Sequence, residues 1–103
     1  MSIVYNKLVR DKIPEIIKSD NREPVTHIAD DEEYGPKLNE KLVEEVNEYI
    51  EEENSKEIAD IYEVIDAIIE YKQFDKQEIL KSQENKREKR GGFEKRIILE
   101  ETR

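Results

Sequence analysis

Two apolar stripes with helical spacing, separated by a two-residue turn, constrain the fold of this chain most strongly. Apolar residues recur at three- and four-residue steps in the first stripe, which consists of Leu38, Leu42, Val43, Val46, Tyr49 and Ile50. The second stripe has the same periodicity and consists of Ile58, Ile61, Tyr62, Ile65, Ile68 and Ile69. This spacing predicts amphipathic helices over residues 32–53 and 56–72, joined at Asn54 and Ser55. Because the connection is so short, the two helices are expected to lie antiparallel, with Ser55 as the N-cap of the second.

Shorter elements are expected on both sides of this helical hairpin. Pro14 fits the first turn of a short helix over residues 14–19, and Gly35-Pro36 predicts a kink or a restart in the first hairpin helix. Asp75-Lys76-Gln77-Glu78 has the form of a capping box, which predicts a third long helix ending at Gly91-Gly92. The β-prone residues 25–28 and 93–99 are expected to pair as a small β element.

Length and composition set limits on how this chain is organised. With 103 residues, it is expected to form one mainly α domain spanning residues 1–103. Only 35% of the residues are hydrophobic, so the core is expected to be thin and association into a homodimer or homotetramer is expected to complete it. No apolar run approaches the roughly 18 residues that span a bilayer, so no membrane association is expected. The absence of cysteine fits a reducing compartment, and a cytoplasmic location is expected.

The negative charge is concentrated in the hairpin. Residues 27–70 carry three Lys/Arg against sixteen Asp/Glu, while the flanking segments carry five against four and ten against seven. The segment charges are therefore +1, -13 and +3, which gives the net charge of -9. Nucleic acid is not an expected partner, because its binding depends on neutralising phosphates with basic side chains. A cation is the better expectation.

Four acids of the hairpin are expected at nearly the same height along it. In an antiparallel pair, residues equidistant from the turn lie level, so Glu48 faces Asp60, with Glu45 and Glu57 about one helical turn away. Periodicity does not decide whether both carboxylate pairs point into the groove between the helices or away from it. Two carboxylates about 5 Å apart repel by roughly 3 kcal/mol at an effective dielectric constant near 20. The cluster must therefore splay, bind protons or hold a cation, and oxygen ligands without His or Cys favour Mg²⁺ or Mn²⁺.

An ordinary charged helix surface is the alternative to a metal site. In that interpretation the acids pair with Lys41, Lys56 or water at helical i,i+3 and i,i+4 spacing. The spacing of the acids alone does not distinguish the two interpretations.

Three segments carry a resemblance to a known family. Glu44-Glu45-Val46-Asn47-Glu48 followed by Glu57-Ile58-Ala59-Asp60 reads E-E-x-x-E then E-x-x-D. This pair resembles the motifs of the all-α nucleoside triphosphate pyrophosphohydrolases, the superfamily of MazG-like and phosphoribosyl-ATP pyrophosphohydrolase-like proteins. The opening residues 5–17 and the late Lys89-Arg90-Gly91-Gly92-Phe93 are similar to a small subgroup described as phosphoribosyl-ATP pyrophosphohydrolase-like. The added N-terminal segment and the C-terminal end differ from the classical phosphoribosyl-ATP enzyme, so the resemblance implies no particular pathway.

The resemblance implies a hydrolase acting on acid anhydrides. It would cleave between the α and β phosphates of a nucleotide and release pyrophosphate, and one role of such a reaction would be to remove non-standard nucleotides. By the match of motif positions, Mg²⁺ would be held by Glu45, Glu48, Glu57 and Asp60. Glu44 or Glu48 would act as the catalytic base, and the residues do not separate these two.

A triphosphate substrate would need basic side chains in addition to the metal. The candidates lie in the two basic ends of the chain and are Lys7, Arg10, Lys12, Lys89 and Arg90. An equally weighted alternative is that Arg10 pairs with an acid of the protein and that Gly91-Gly92 only ends a helix.

A non-catalytic role is the alternative function. The chain would then be a helical adaptor that docks a partner through its acidic face, or a relative that binds nucleotide without turnover. Magnesium-dependent release of pyrophosphate distinguishes these from the hydrolase.

Overall fold

The fold is built from four helices, and a computed structural model describes residues 2–103. In chain order the helices are α1 (Ile13–Ser19), α2 (Asp31–Glu52), α3 (Ser55–Lys72) and α4 (Lys76–Arg90). Each expected helix is therefore present, and its ends agree with the sequence prediction to within one or two residues. The mainly α class is confirmed. In the described range, no helix combines the length and the apolar character needed to cross a membrane.

The helix starts show which polar side chains act as caps. Asn54, rather than Ser55, caps α3, because its side-chain oxygen accepts a hydrogen bond of 3.1 Å from the backbone N–H of Glu57. The Ser55 prediction is corrected by this bond, since Ser55 is already the first residue of α3. Glu53 adopts a left-handed conformation at the end of α2, with φ of 47°. The reversal of the chain is thus completed by Glu53 and Asn54.

Aromatic packing fixes the opposite end of the hairpin. The rings of Tyr34 and Tyr71 meet edge to face, with their centroids 5.0 Å apart. The Tyr71 hydroxyl donates a hydrogen bond of 2.9 Å to the carbonyl oxygen of Asp31. A Cβ atom at Gly35 would lie only 3.3 Å from the Tyr71 ring, so glycine allows the close approach of α3 to α2. The helix continues through Pro36, and the restart considered for this position does not occur.

The hydrophobic core of the hairpin is thin. Among the described residues, the buried apolar side chains are Leu38 on α2 and Val64 on α3, with 2% and 8% of their surface exposed. Many other apolar side chains of the two helices remain partly or largely exposed. The small core agrees with the composition, and it leaves apolar surface on the outside of the hairpin.

The expected β element is not formed in the part of the chain that the structure describes. Residues 25–28 and 93–99 contain no strand, and Val25 and Ile28 are each 95% exposed. A strand needs a second strand to pair its backbone N–H and C=O groups, and β-prone side chains do not supply that partner. Neither segment has such a ladder within residues 2–103.

The single domain expected from chain length corresponds to two compact units in the structure. The first ends at Lys72 and contains α1, α2 and α3, while the second begins at Gln73 and contains α4. In the second unit, Asp75 caps α4 as the sequence predicts, accepting a hydrogen bond of 2.9 Å from the N–H of Gln77. The helix ends before Gly91, whose φ of 84° is in the range that favours glycine.

Candidate metal centre

The hairpin brings together the four acids that the sequence predicts as metal ligands. Glu45 and Glu48 lie on α2, and Glu57 and Asp60 lie on α3. Each residue offers one carboxylate oxygen, and the four oxygens all lie within 4.8 Å of one another. Periodicity left open whether the two pairs converge or diverge, and the structure shows that they converge.

Glu45 lies deepest in this four-acid cluster. Only 6% of its surface is exposed, and its Oε2 atom has no hydrogen-bond partner. Its Oε1 atom lies 3.4 Å from the Nζ atom of Lys41. Burial raises the pKa of the Glu45 carboxyl, and the nearby charges of Glu48 and Asp60 raise it further, while Lys41 opposes both effects. A carboxylate buried in this way, with one oxygen unpaired, is expected to be stabilised by a cation.

The donor set and its spacing fit a small divalent cation. Glu57 also has a buried oxygen, Oε2, without a hydrogen-bond partner. Opposite ligands of Mg²⁺ are about 4.1 Å apart, since each Mg–O distance is about 2.0–2.1 Å. Neighbouring ligands in an octahedral shell are closer, at about 2.9 Å, so oxygens that lie within 4.8 Å of one another would draw together to share one ion. The four carboxylates fit Mg²⁺ or Mn²⁺ in both charge and chemistry.

Glu44 lies beside the cluster and is held by two lysines. Its Oε1 atom is 3.0 Å from Lys7 Nζ, and its Oε2 atom is 3.3 Å from Lys41 Nζ. Partial burial acts to raise the pKa of Glu44, but the hydrogen bonds and charges of Lys7 and Lys41 outweigh it and lower the pKa below its ordinary value. Glu44 is therefore an ionised carboxylate whose two oxygens are both engaged.

The N-terminal segment places two of the five predicted phosphate-binding residues at the site. An Arg10 guanidinium nitrogen lies 2.8 Å from Asp60 Oδ1, and Lys7 pairs with Glu44. The backbone carbonyl of Asn6 accepts a hydrogen bond of 2.7 Å from Lys37, which attaches the segment to α2. The alternative in which Arg10 pairs with an acid of the protein is thus observed, and that acid belongs to the cluster.

The other three predicted phosphate-binding residues are not brought to the site by any described contact. Lys12 precedes α1 and makes no ion pair with a cluster carboxylate among the described residues. Lys89 and Arg90 lie in the last turn of α4, in the second compact unit. Their role in phosphate binding stays a prediction.

Lys41 and Lys37 contribute to the site, although neither is among the predicted site residues. Lys41 contacts both Glu44 and Glu45, and its i,i+3 and i,i+4 spacing to them is the signal that identifies it. The surface-pairing interpretation is therefore correct for Lys41, whereas Lys56 makes no such pair among the described residues. Lys37 acts through a backbone carbonyl 31 positions away, a contact that no sequence pattern indicates.

Comparison with known proteins does not assign the chain to a family. No family model matches it, and no solved structure matches it significantly. An uncharacterized protein of Mycolicibacterium smegmatis (strain ATCC 700084 / mc(2)155) is 50% identical over 42 residues, which is 41% of this chain and 43% of the relative. The match thus spans less than half of either protein. The resemblance to the pyrophosphohydrolases stays a prediction that rests on the motifs themselves.

Proposed function

We propose that this protein is a Mg²⁺-dependent nucleotide pyrophosphohydrolase that cleaves the α–β phosphate bond to give a monophosphate and pyrophosphate. The observation that carries the proposal is the buried Glu45 carboxylate, whose Oε2 atom lacks a partner while three further carboxylates converge on it. Mutual repulsion among these groups costs free energy that a divalent cation removes. The E-E-x-x-E and E-x-x-D motifs supply the same four residues and so support the same function.

The side chains have two roles, holding the ion and acting on substrate or water, and Glu48 is a candidate for both. Glu45, Glu48, Glu57 and Asp60 hold Mg²⁺, which supplies charge compensation for phosphate oxygens and acidifies water. Glu48 is the better candidate for the base that accepts a proton from water. Glu44, the other candidate, has both oxygens bound by lysines, so its proton affinity is reduced.

Association of the hairpin with a second copy is part of the proposal. Val43, Ile50 and Tyr62 lie on the hairpin helices and remain 59%, 62% and 66% exposed. Apolar side chains on two adjacent helices are suited to packing against the same surface of another copy, which would give a four-helix arrangement. Such packing agrees with the fold that the resemblance implies.

Release of pyrophosphate across a panel of standard and modified nucleoside triphosphates tests the proposed reaction. We expect Mg²⁺-dependent release that EDTA abolishes. Glu48→Gln is expected to lower kcat by at least about 100-fold, the usual effect of losing a general base. Glu51→Gln is the matched control, because it removes an exposed carboxylate from the same helix outside the cluster. Equal rates for the two variants would contradict the assignment of Glu48.

Binding without turnover is the second candidate function. It is favoured by one observation, that Arg10 and Lys41 already pair with cluster carboxylates, so the chain can neutralise part of the site itself. Titration calorimetry with a non-hydrolysable nucleotide analogue identifies a nucleotide-binding relative if heat is released while no pyrophosphate forms. If neither the analogue nor Mg²⁺ or Mn²⁺ stabilises the protein in a thermal melt, an adaptor that docks through its acidic face is the better interpretation.

A further inference from the structure

Arg10 pairs with a carboxylate for which a bound metal ion would compete. Its guanidinium lies 2.8 Å from an oxygen of Asp60, one of the four carboxylates that converge within 4.8 Å. A divalent ion at the cluster draws on the same negative charge, and a cation this close to a ligand carboxylate repels the ion. The Arg10–Asp60 pair is largely exposed, with 56% and 38% of the side-chain surface accessible, so it contributes little stability and is readily exchanged.

Lys7 provides a natural contrast within the same segment. It lies three positions before Arg10 and carries the same charge, but it pairs with Glu44, which is outside the four-acid cluster. The segment that holds both residues, from residue 2 to residue 10, contains no helix or strand. Its side chains are therefore free to change partners without breaking a hydrogen-bonded element, while the hydrogen bond from Lys37 to the Asn6 carbonyl keeps the segment near α2.

The cluster also contains an unpaired, buried carboxylate oxygen, which indicates a ligand in addition to the side chains of Lys41 and Arg10. The side chain of Glu45 is 9% exposed, and its Oε2 atom has no partner even though Lys41 and Arg10 are present. The resident cations thus leave the deepest carboxylate incompletely satisfied. A divalent ion coordinated by Glu45 would place positive charge directly at that oxygen.

We propose that Arg10 is a resident counter-cation of the metal-free site, which a divalent ion displaces from Asp60 and thereby releases to bind a phosphate group of the substrate. The inference rests on the proposed function and adds an order of events to it: metal binding makes the guanidinium available. Arg suits this role because its planar fork binds carboxylate and phosphate oxygens with the same geometry. Since the two binding events share Arg10, each favours the other by the same free energy.

Titration with Mn²⁺ alone tests the displacement, with free Mn²⁺ measured by electron paramagnetic resonance. Arg10→Gln is expected to bind Mn²⁺ about two- to fivefold more tightly than the unmodified chain, because the competing pair is worth no more than a typical exposed ion pair. Lys7→Gln is the matched control for the loss of one positive charge, and its effect is expected to be smaller. Thermal melts without metal check that both variants are folded.

The outcomes of this titration separate the inference from the function. A larger gain in Mn²⁺ affinity for Arg10→Gln than for Lys7→Gln supports displacement. Unchanged or weaker binding by Arg10→Gln, or an equal gain in both variants, overturns the displacement while leaving the metal site intact. Absence of Mn²⁺ binding in all three proteins overturns the proposed function and the inference together.

A second titration, with inorganic pyrophosphate as the probe, tests the release of Arg10 to phosphate. Pyrophosphate is expected to bind the Mn²⁺-loaded protein, and Arg10→Gln is expected to weaken that binding by about tenfold, the usual effect of losing a charge-assisted hydrogen bond. Arg22→Gln is the control and should leave the affinity for pyrophosphate unchanged. It also removes a positive charge, but Arg22 makes no ion pair with a cluster carboxylate among the described residues. Equal affinities for pyrophosphate in Arg10→Gln and the unmodified protein would overturn this half of the inference.

Discussion

Glu45 is the residue at which the electrostatics of the site are most unfavourable. It is buried, it faces two other carboxylates, and Lys41 only partly compensates for them. Its pKa is therefore raised in the folded chain. A group of this kind binds a proton more readily in the folded state than in the unfolded state, so its contribution to stability falls as the pH rises.

Replacing Glu45 with Gln is expected to stabilise the metal-free protein at neutral pH. Gln keeps a hydrogen-bond acceptor for Lys41 but removes the charge that burial disfavours, so the free energy of unfolding should rise. The gain should disappear as the pH falls below the ordinary value of 4.5, because Glu45 is then neutral in both states. Urea unfolding of both proteins between pH 4 and pH 8 in EDTA measures the difference.

Added Mg²⁺ should reverse the order of stability. The unmodified protein should be stabilised by the ion, and Glu45→Gln should gain much less, because it lacks one ligand. A Glu51→Gln variant, tested under the same conditions, should respond to Mg²⁺ as the unmodified protein does. Greater stability of the unmodified protein in EDTA at pH 8 would show that the pair with Lys41 outweighs the cost of burial.

At the scale of single residues, the sequence predicts the four acids of the candidate site better than it predicts the basic side chains that pair with them. The spacing of Glu45, Glu48, Glu57 and Asp60 relative to a short turn is enough to place them at nearly the same height along the hairpin. The pairing of Arg10 with Asp60 could not be predicted in the same way, because the segment before α1 has no period and its path depends on tertiary contacts. The convergence of the four acids depends on the hand of the hairpin, which periodicity does not encode.

The α2–α3 turn is the element that sets the register of the site. Glu53 reverses the chain in a left-handed conformation, and Asn54 then caps α3. With so few residues between the helices, the heights of the acids on α2 and α3 are fixed relative to each other. The turn therefore determines whether the four carboxylates meet.

Asn54→Ala is expected to destabilise the protein by about 1 kcal/mol, the usual effect of removing a side-chain cap. The affected bond is the one that Glu57 N–H donates to Asn54, so a proposed metal ligand lies at the position that loses its anchor. Ser55→Ala is the matched control and should change the free energy of unfolding by less than about 0.5 kcal/mol. Urea unfolding of the two variants distinguishes them, and a larger loss from Ser55→Ala would contradict Asn54 as the cap.

Helices were predictable for this chain and strands were not, for a physical reason. A helix satisfies its backbone hydrogen bonds locally, so Asp75 as a cap and Gly91 as a stop identify α4 without knowledge of other segments. A strand takes its hydrogen bonds from a distant part of the chain. The β-prone residues 25–28 and 93–99 therefore indicated a preference for extended structure, but the pairing expected between them is not formed within residues 2–103.

At the scale of the whole molecule, the hairpin exposes apolar side chains that its small core does not bury. Leu38 and Val64 are the buried apolar residues of the described chain, whereas Val43, Ile50 and Tyr62 on the same helices are mostly exposed. Burying these side chains between copies would add apolar contact area that one chain cannot provide.

Val43→Glu is expected to weaken self-association by at least about tenfold, because the interface would have to bury an unpaired carboxylate. Sedimentation equilibrium across a range of concentrations measures the dissociation constant. Val25→Glu is the matched control, since Val25 is 95% exposed and lies outside the hairpin. A monomeric unmodified protein, or equal association of both variants, would contradict association through the hairpin.

The short α2–α3 turn has a final consequence for how this site is assembled. Glu45 and Asp60 are separated by only fifteen positions, so one uninterrupted stretch of chain encodes all four proposed metal ligands. Contacts this local form early in folding, because little chain entropy is lost in closing them. The four acids can therefore come together before the flanking segments reach their final positions.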